Sequence, residues 1–304
     1  MGRPDDSRIT PGCYRAICGS ADRLLREASA YGRFPTPISD IIGAAKLSVE
    51  KDASLDTGFL RKLYGTAKRT IKKALDKVLG LFDSRDRMIY LDQTLQRVKQ
   101  RFVSLHETGH GYLPWQRDTY SFMEDGETNL DPEIQQEFER EASVFASEVL
   151  FQGTHFQEES RNLPFKIKTP MKLGKKYGAS NYAAFRRFVS KSHRICVLLV
   201  FEQPVYELGR GYAFHLRRAI SSPPFHAKFG EVEWPSVLYS RENALAATLP
   251  VRAFHRIFTR RCCIASLISG CSEAFYLEAF DSTYQVFALL IPETELRAIK
   301  SPGC

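Results

Sequence analysis

The stretch His106-Glu107-Thr108-Gly109-His110 sets two imidazoles four positions apart, with a carboxyl directly after the first. On a helix, side chains at i and i+4 stand one turn above each other, so both rings can reach one metal ion. Glu107 is turned about 100° around the axis from His106. Its carboxylate then sits beside the open position of such a metal rather than on the metal itself. Two nitrogen ligands with an adjacent proton acceptor are what a zinc hydrolase needs to activate water against a carbonyl, with Glu107 as the catalytic base.

The flanking residues supply the helix that this spacing requires. Leu95, Val98, Phe102 and Leu105 recur at helical spacing and predict an amphipathic helix over Gln93–Gly111. Gly111 and Pro114 mark its end. Met88–Leu91 reads as a short strand before it, and Arg117–Asn129 as a polar loop after it. Asp131-Pro132 then opens a second helix, Asp as cap and Pro in the first turn. It runs through Ile134, Phe138, Ala142, Phe145, Ala146, Val149 and Leu150 and stops at Gly153.

A catalytic zinc takes three protein ligands and keeps one position for water. The second helix is the candidate donor of the third. On its wheel, Glu139 lies at the edge of the apolar face beside Ala142, Ala146 and Leu150. Glu141 lies off the opposite edge, near Glu137 and Glu148. Small alanines beside Glu139 would allow a close approach to the His106–His110 helix. This favours Glu139 by a small margin and leaves Glu141 open, while the plain reading of an acidic helix is a solvated surface. A neutral donor for the oxyanion is expected as well, with Tyr112 and His193 as candidates.

A chain of 304 residues predicts two or three domains. No run of eighteen apolar residues occurs, and the opening Met-Gly-Arg-Pro-Asp-Asp carries no apolar signal core. The expectation is a cytoplasmic protein with no membrane segment. Seven cysteines, an odd number without a C-x-x-C pair, predict reduced thiols rather than a disulfide framework. Cys262, Cys263 and Cys271, set in an apolar stretch, read as small buried hydrophobes.

Net charge is +8, but its distribution says more. Basic residues dominate from Arg61 to Phe102. From Glu124 to Glu159, eleven acids face the single Arg140, and from Arg161 to Arg194 there are ten Lys or Arg and no acid. Such blocks create local fields that can hold a charged partner, although solvated helix faces produce the same runs.

Towards the N-terminus, residues from about Ala21 to Glu50 read as two helices, broken at Phe34-Pro-Thr-Pro37, and Leu60–Leu81 as a long basic amphipathic helix. In Lys166–Arg194, two short helices joined at Gly178, with Ser180 capping the second, predict a helix-turn-helix-like unit. Beyond Cys196, Val197–Phe201 and Phe275–Ile291 are strand-like, with short helical stretches between them.

Taken together, His106-Glu107-Thr-Gly109-His110 followed by Glu139-Arg-Glu-Ala142-Ser-Val-Phe145-Ala146-Ser-Glu148-Val-Leu150 resembles the ImmA/IrrE family of metallo-endopeptidases. The resemblance covers residues 20–155 well and extends in part over 165–190. That family usually carries Asn or Asp where this chain has Ser143, and Leu-Met-Pro where it has Leu150-Phe-Gln. The resemblance implies an α+β protein: a mainly helical gluzincin-like metallopeptidase domain over 1–160, a helix-turn-helix-like segment over 161–194 and a mixed α/β GAF-like domain over 195–304. By position, it implies His106, His110 and Glu139 as zinc ligands and Glu107 as the general base. The ligand types favour Zn2+, with Mn2+ as the other ion they admit. It implies, finally, a regulatory substrate, a helix-turn-helix repressor typically encoded nearby.

Two other functions follow from the same residues. The basic block, through Lys172, Lys175, Lys176, Arg186 and Arg187, could neutralise DNA phosphates in a DNA-binding regulator. A general zinc peptidase acting on small peptides is the second.

Overall fold

A computed structural model describes residues 9–50, 80–124, 130–263 and 273–295. These fall into two compact units. One comprises residues up to Glu158 together with Gly174–Ser180, and the other Glu159–Leu173 and the residues from Asn181 onward. The architecture is mixed α+β.

The first unit opens with α1 (Pro11–Glu27) and α2 (Ile38–Ala44). Helix α1 begins ten residues before the expected start, because Thr10 caps it by accepting from the Cys13 amide and Pro11 occupies its first turn. Ser48–Glu50, expected as helix, forms strand β1. Strands β2 (Gly80–Asp83) and β3 (Met88–Leu91) complete a sheet of order β1-β3-β2. β1 runs parallel to β3 (Val49 opposite Ile89), and β2 antiparallel to it (Phe82 opposite Ile89). The basic helix expected over Leu60–Leu81 lies outside the described residues, apart from Gly80 and Leu81, which belong to β2.

Three helices follow: α3 (Arg97–Tyr112), α4 (Pro114–Glu124) and α5 (Pro132–Leu150). Helix α4 corrects the expected loop over 117–129 as far as Glu124. Pro114 ends α3 and also starts α4, since a proline in a first turn has no amide to leave unpaired. The Thr119 hydroxyl donates to the Trp115 carbonyl within it. Helix α5 starts as expected, with Asp131 accepting from the Glu133 amide at 2.7 Å. Its buried Phe138, Ala142, Phe145, Ala146 and Val149 give a broad apolar face.

Next come α6 (His155–Arg161), α7 (Lys168–Tyr177) and α8 (Asn181–Ser190). Gly178, between α7 and α8, has φ +74°, a conformation that suits glycine. In the first unit, Tyr177 at the end of α7 is fully buried against Phe34, Phe151 and Phe156.

The second unit is built on an antiparallel sheet of β4 (Val197–Glu202), β5 (Val205–Glu207), β6 (Gly211–Ser221), β7 (Val237–Tyr239), β8 (Ile257–Cys263), β9 (Ala274–Asp281) and β10 (Gln285–Pro292). The order is β5-β6-β4-β10-β9-β8, with β7 also on β6. The strand-like run Phe275–Ile291 is therefore a hairpin, turning at Thr283 (φ +73°). One face of the sheet buries Val197, Leu199, Val286, Ala288 and Leu290 with Phe225 of α9 (Pro223–Phe229) and Leu245 of α10 (Ala244–Thr248). Residues of the opposite parity face α8, where the Phe185 and Phe287 rings lie 4.7 Å apart. A strand covered on both faces reads as continuous hydrophobics, which is why Val197–Phe201 was legible. The Cys262, Cys263 and Cys271 side chains lie outside the described residues.

Candidate metal centre

Helix α3 buries Val103, Leu105, Glu107, Thr108, Gly109 and His110. Its approach to α5 is set by Gly109. A Cβ there would lie 3.1 Å from Phe145 Cδ1 and 3.2 Å from Ala142 Cα, tighter than side chains normally pack. With Gly109 against Ala142, the residue one turn earlier on α5, Glu139, comes beside both histidines. His106 Nε2 is 3.1 Å from Glu139 Oε2, His110 Nε2 is 3.6 Å from Oε1, and the two Nε2 atoms are 3.2 Å apart.

Both histidines are held from behind. His106 Nδ1 lies 3.3 Å from the Ser143 hydroxyl, and His110 Nδ1 lies 2.8 Å from Gln116 Oε1. With the Nδ1 atoms engaged, the two Nε2 atoms and the Glu139 carboxylate are left facing one another. Among the described residues, His106, His110 and Glu139 form a group whose ligand atoms all lie within 4.8 Å of one another. Two imidazoles and a carboxylate fit a divalent cation, with zinc the ion this donor chemistry favours.

Glu107 is buried beside this group, only 8 % exposed. It accepts a hydrogen bond from the Phe82 amide on β2, and Gly80 of the same strand leaves room for its Oε1. Burial raises its pKa to about 7, the charge of Glu139 adding to this while His106 and the Phe82 amide oppose it. Burial, then the neighbouring His106, pushes His110 down to about 4, so its imidazole is neutral at neutral pH. For Glu139, burial works against the charge, but the hydrogen bond with His106 and the two imidazoles hold the carboxyl below its ordinary range. His106 is raised: burial opposes its charge, and the bond to Glu139 with the charges of Glu107 and Glu139 outweighs burial.

Residues 69–188 match the family described as Peptidase M78, IrrE N-terminal-like domain. Over that stretch the chain is similar to the ImmA/IrrE family. Among solved structures, a Mycobacterium tuberculosis transcriptional regulator is similar in fold, with a TM-score of 0.53 at 12% identity, over 95% of this chain and 92% of that one. No curated protein matches the chain in sequence.

The remaining candidates are dispersed. Tyr112 donates its hydroxyl to Glu27 at 3.1 Å and packs its ring on Phe145, so its hydroxyl is engaged away from the histidines. His193 belongs to the second unit and is exposed there. Lys172, Lys175 and Lys176 are exposed on α7, whereas on α8 Arg186 is half-buried and Arg187 is buried. Helix α8 lies against β4 and β6, so much of the surface that a recognition helix would offer is covered.

Gln116 and Tyr120, near the centre, escaped the sequence reading, and Glu141 has a different role from the one weighed there. Gln116 is fully buried on α4, directly before the segment expected as loop. Glu141 is buried on α5, where its carboxylate accepts from Trp115, Gln116 and Cys13. Glu141 therefore neither joins the ligand group nor lies on a solvated face; Glu148, likewise buried, accepts from Tyr14. Tyr120 on α4 sets its ring edge-on to that of His110, centroids 5.7 Å apart. The available signal was local: Trp115-Gln116 placed directly after a proline two to four residues beyond the motif helix.

Proposed function

We propose that the protein is a zinc-dependent endopeptidase of the cytoplasm that cleaves a helix-turn-helix transcriptional repressor and so releases its target genes. The observation that carries the reading is the convergence of His106, His110 and Glu139 beside a buried carboxyl, Glu107. His106, His110 and Glu139 would hold the ion, Mn2+ being the alternative to Zn2+. Bound there, it would supply Lewis-acid chemistry, polarising a peptide carbonyl and acidifying a water. Glu107 would take that water's proton at its carboxylate and pass it to the departing amine. A carboxyl poised near neutrality is suited to both transfers. We assign the second unit a regulatory, GAF-like role; what supports this is an antiparallel sheet covered by helices on both faces.

The test is cleavage of a small helix-turn-helix protein, sought among the products of the neighbouring genes, followed by mass spectrometry. Glu107→Gln should keep one bound zinc and slow cleavage by at least about 10²-fold. Cleavage at the wild-type rate, or a wild-type chain that takes up no ion, would defeat the reading.

A DNA-binding regulator is the second reading. It draws on the printed description of the structural neighbour as a transcriptional regulator and on the exposed Lys172, Lys175 and Lys176. Salt-dependent binding of duplex DNA by Glu107→Gln would support it. Digestion of unstructured peptides without a partner would instead mark a general peptidase.

A further inference from the structure

Among the described residues around the metal centre, one amide has its orientation dictated by its neighbours. Gln116 Nε2 lies 3.1 Å from the Phe138 carbonyl oxygen and 2.6 Å from Glu141 Oε2. A carbonyl can only accept, so the atom facing it must be the amino group. That turns Oε1 toward His110 Nδ1, 2.8 Å away. An oxygen that can only accept requires a proton on Nδ1. The neutral ring then carries its lone pair on Nε2, the nitrogen that faces His106 Nε2 and Glu139. Ser143 gives His106 no comparable constraint, since a hydroxyl can either donate to Nδ1 or accept from it.

Gln116 is itself anchored. Glu141, 4 % exposed, receives the Trp115 indole N–H at 2.7 Å and the Cys13 thiol at 2.9 Å besides the Gln116 amino group. Three elements thus meet on one carboxylate: α1 through Cys13, α4 through Trp115 and Gln116, and α5 through Glu141 itself. Rotating the Gln116 amide would set its oxygen against both the Phe138 carbonyl and the Glu141 carboxylate, leaving buried acceptors opposed and unsatisfied.

We propose that Gln116, locked by Glu141, is a positioning residue that holds His110 as the Nδ1–H tautomer and thereby sets the metal affinity of the His106–His110–Glu139 group. This rests on the metal-centre reading above. A partner behind a ligating histidine fixes ring orientation and tautomer, and its loss typically costs about 10–100-fold in metal affinity or activity.

Two measurements on the full chain test it. In the metal-free wild-type protein, long-range 15N–1H correlation spectra should show His110 protonated on Nδ1 and bare on Nε2. This needs no variant, so misfolding cannot obscure it; a ring protonated on Nε2 overturns the proposal. In the second, zinc affinity is measured by competition with a chromophoric chelator. Gln116→Met keeps the length and loses the acceptor, and should bind zinc about 10–100-fold more weakly with a mixture of His110 tautomers. Trp115→Phe, which removes one donor to Glu141, should fall between. If Gln116→Met lowers only the unfolding midpoint and leaves zinc affinity unchanged, the proposal fails while the metal centre stands. If the wild-type chain binds no zinc, both fail.

Discussion

Glu107 is a carboxyl placed where a carboxylate is costly. Its ordinary pKa of 4.5 rises to about 7, chiefly through burial. In the metal-free protein the folded state therefore holds this proton over a pH range in which the unfolded state has released it. Stability falls with pH wherever the folded state binds more protons. The penalty is absent below about pH 4.5, grows to about pH 7 and is constant above that. Its full size is on the order of 3 kcal/mol, the shift converted at about 1.4 kcal/mol per unit. His110 acts in the opposite sense. Its pKa is lowered from 6.5 to about 4, so the unfolded state binds more protons between those values and stability rises with pH there. The two trends oppose each other below pH 6.5, and the Glu107 penalty is isolated by comparison with Glu107→Gln. Urea unfolding of the chelator-treated proteins should show the wild type losing ground to this variant between pH 4.5 and 7, with no further loss above. A difference that does not change with pH would show that Glu107 is not held protonated by burial.

At the scale of elements, the centre depends on how closely α3 and α5 cross. Ala142 and Phe145 occupy the space that a side chain at position 109 would need. Gly109→Val should push the helices apart, costing about 1–3 kcal/mol of stability by overpacking. It should also weaken zinc binding, because Glu139 moves with α5 while both histidines stay on α3. Unfolding midpoints and zinc competition would check both, and unchanged zinc affinity would mean that Glu139 is not a ligand. The same crossing explains what the sequence could tell. The 3.6-residue period alone puts His106 and His110 on one face, and Asp131-Pro132 marks where α5 starts. The choice between Glu139 and Glu141 was not available from one helix, since both flank its apolar face. What brings Glu139 rather than Glu141 beside the histidines is which small residue of α5 meets Gly109, a fact about two helices. Gln116 was hidden for a related reason: Pro114 signals an end and a beginning equally well, and reading only the end turned α4 into a loop. Strands β1 and β2, of three and four residues, are too short to show an alternating pattern.

For the whole molecule, the contiguous basic run Arg161–Arg194 does not map onto one contiguous body. Gly174–Ser180 cluster with the first unit, and the residues on either side with the second. Charge along a chain is read in sequence order, whereas burial of Tyr177, Phe185 and Arg187 depends on contacts with distant segments. No helix among the described residues is long and apolar enough to cross a membrane. The ligand group belongs wholly to the first unit, since His106, His110 and Glu139 all precede Glu158. An ion that binds only the folded state stabilises it by about 2.7 kcal/mol when present at a hundred times its Kd, close to a hundredfold change in the opening equilibrium. Hydrogen exchange with and without zinc should therefore show the amides of α3 and α5 that exchange only through unfolding slowed by about 10²-fold. The core strands β4, β9 and β10 of the second unit contain no member of the group and should keep their metal-free rates. Slowing of equal size in those strands would mean that the two units unfold as one body. No slowing in α3 would mean that the two histidines and Glu139 do not hold an ion in the folded chain.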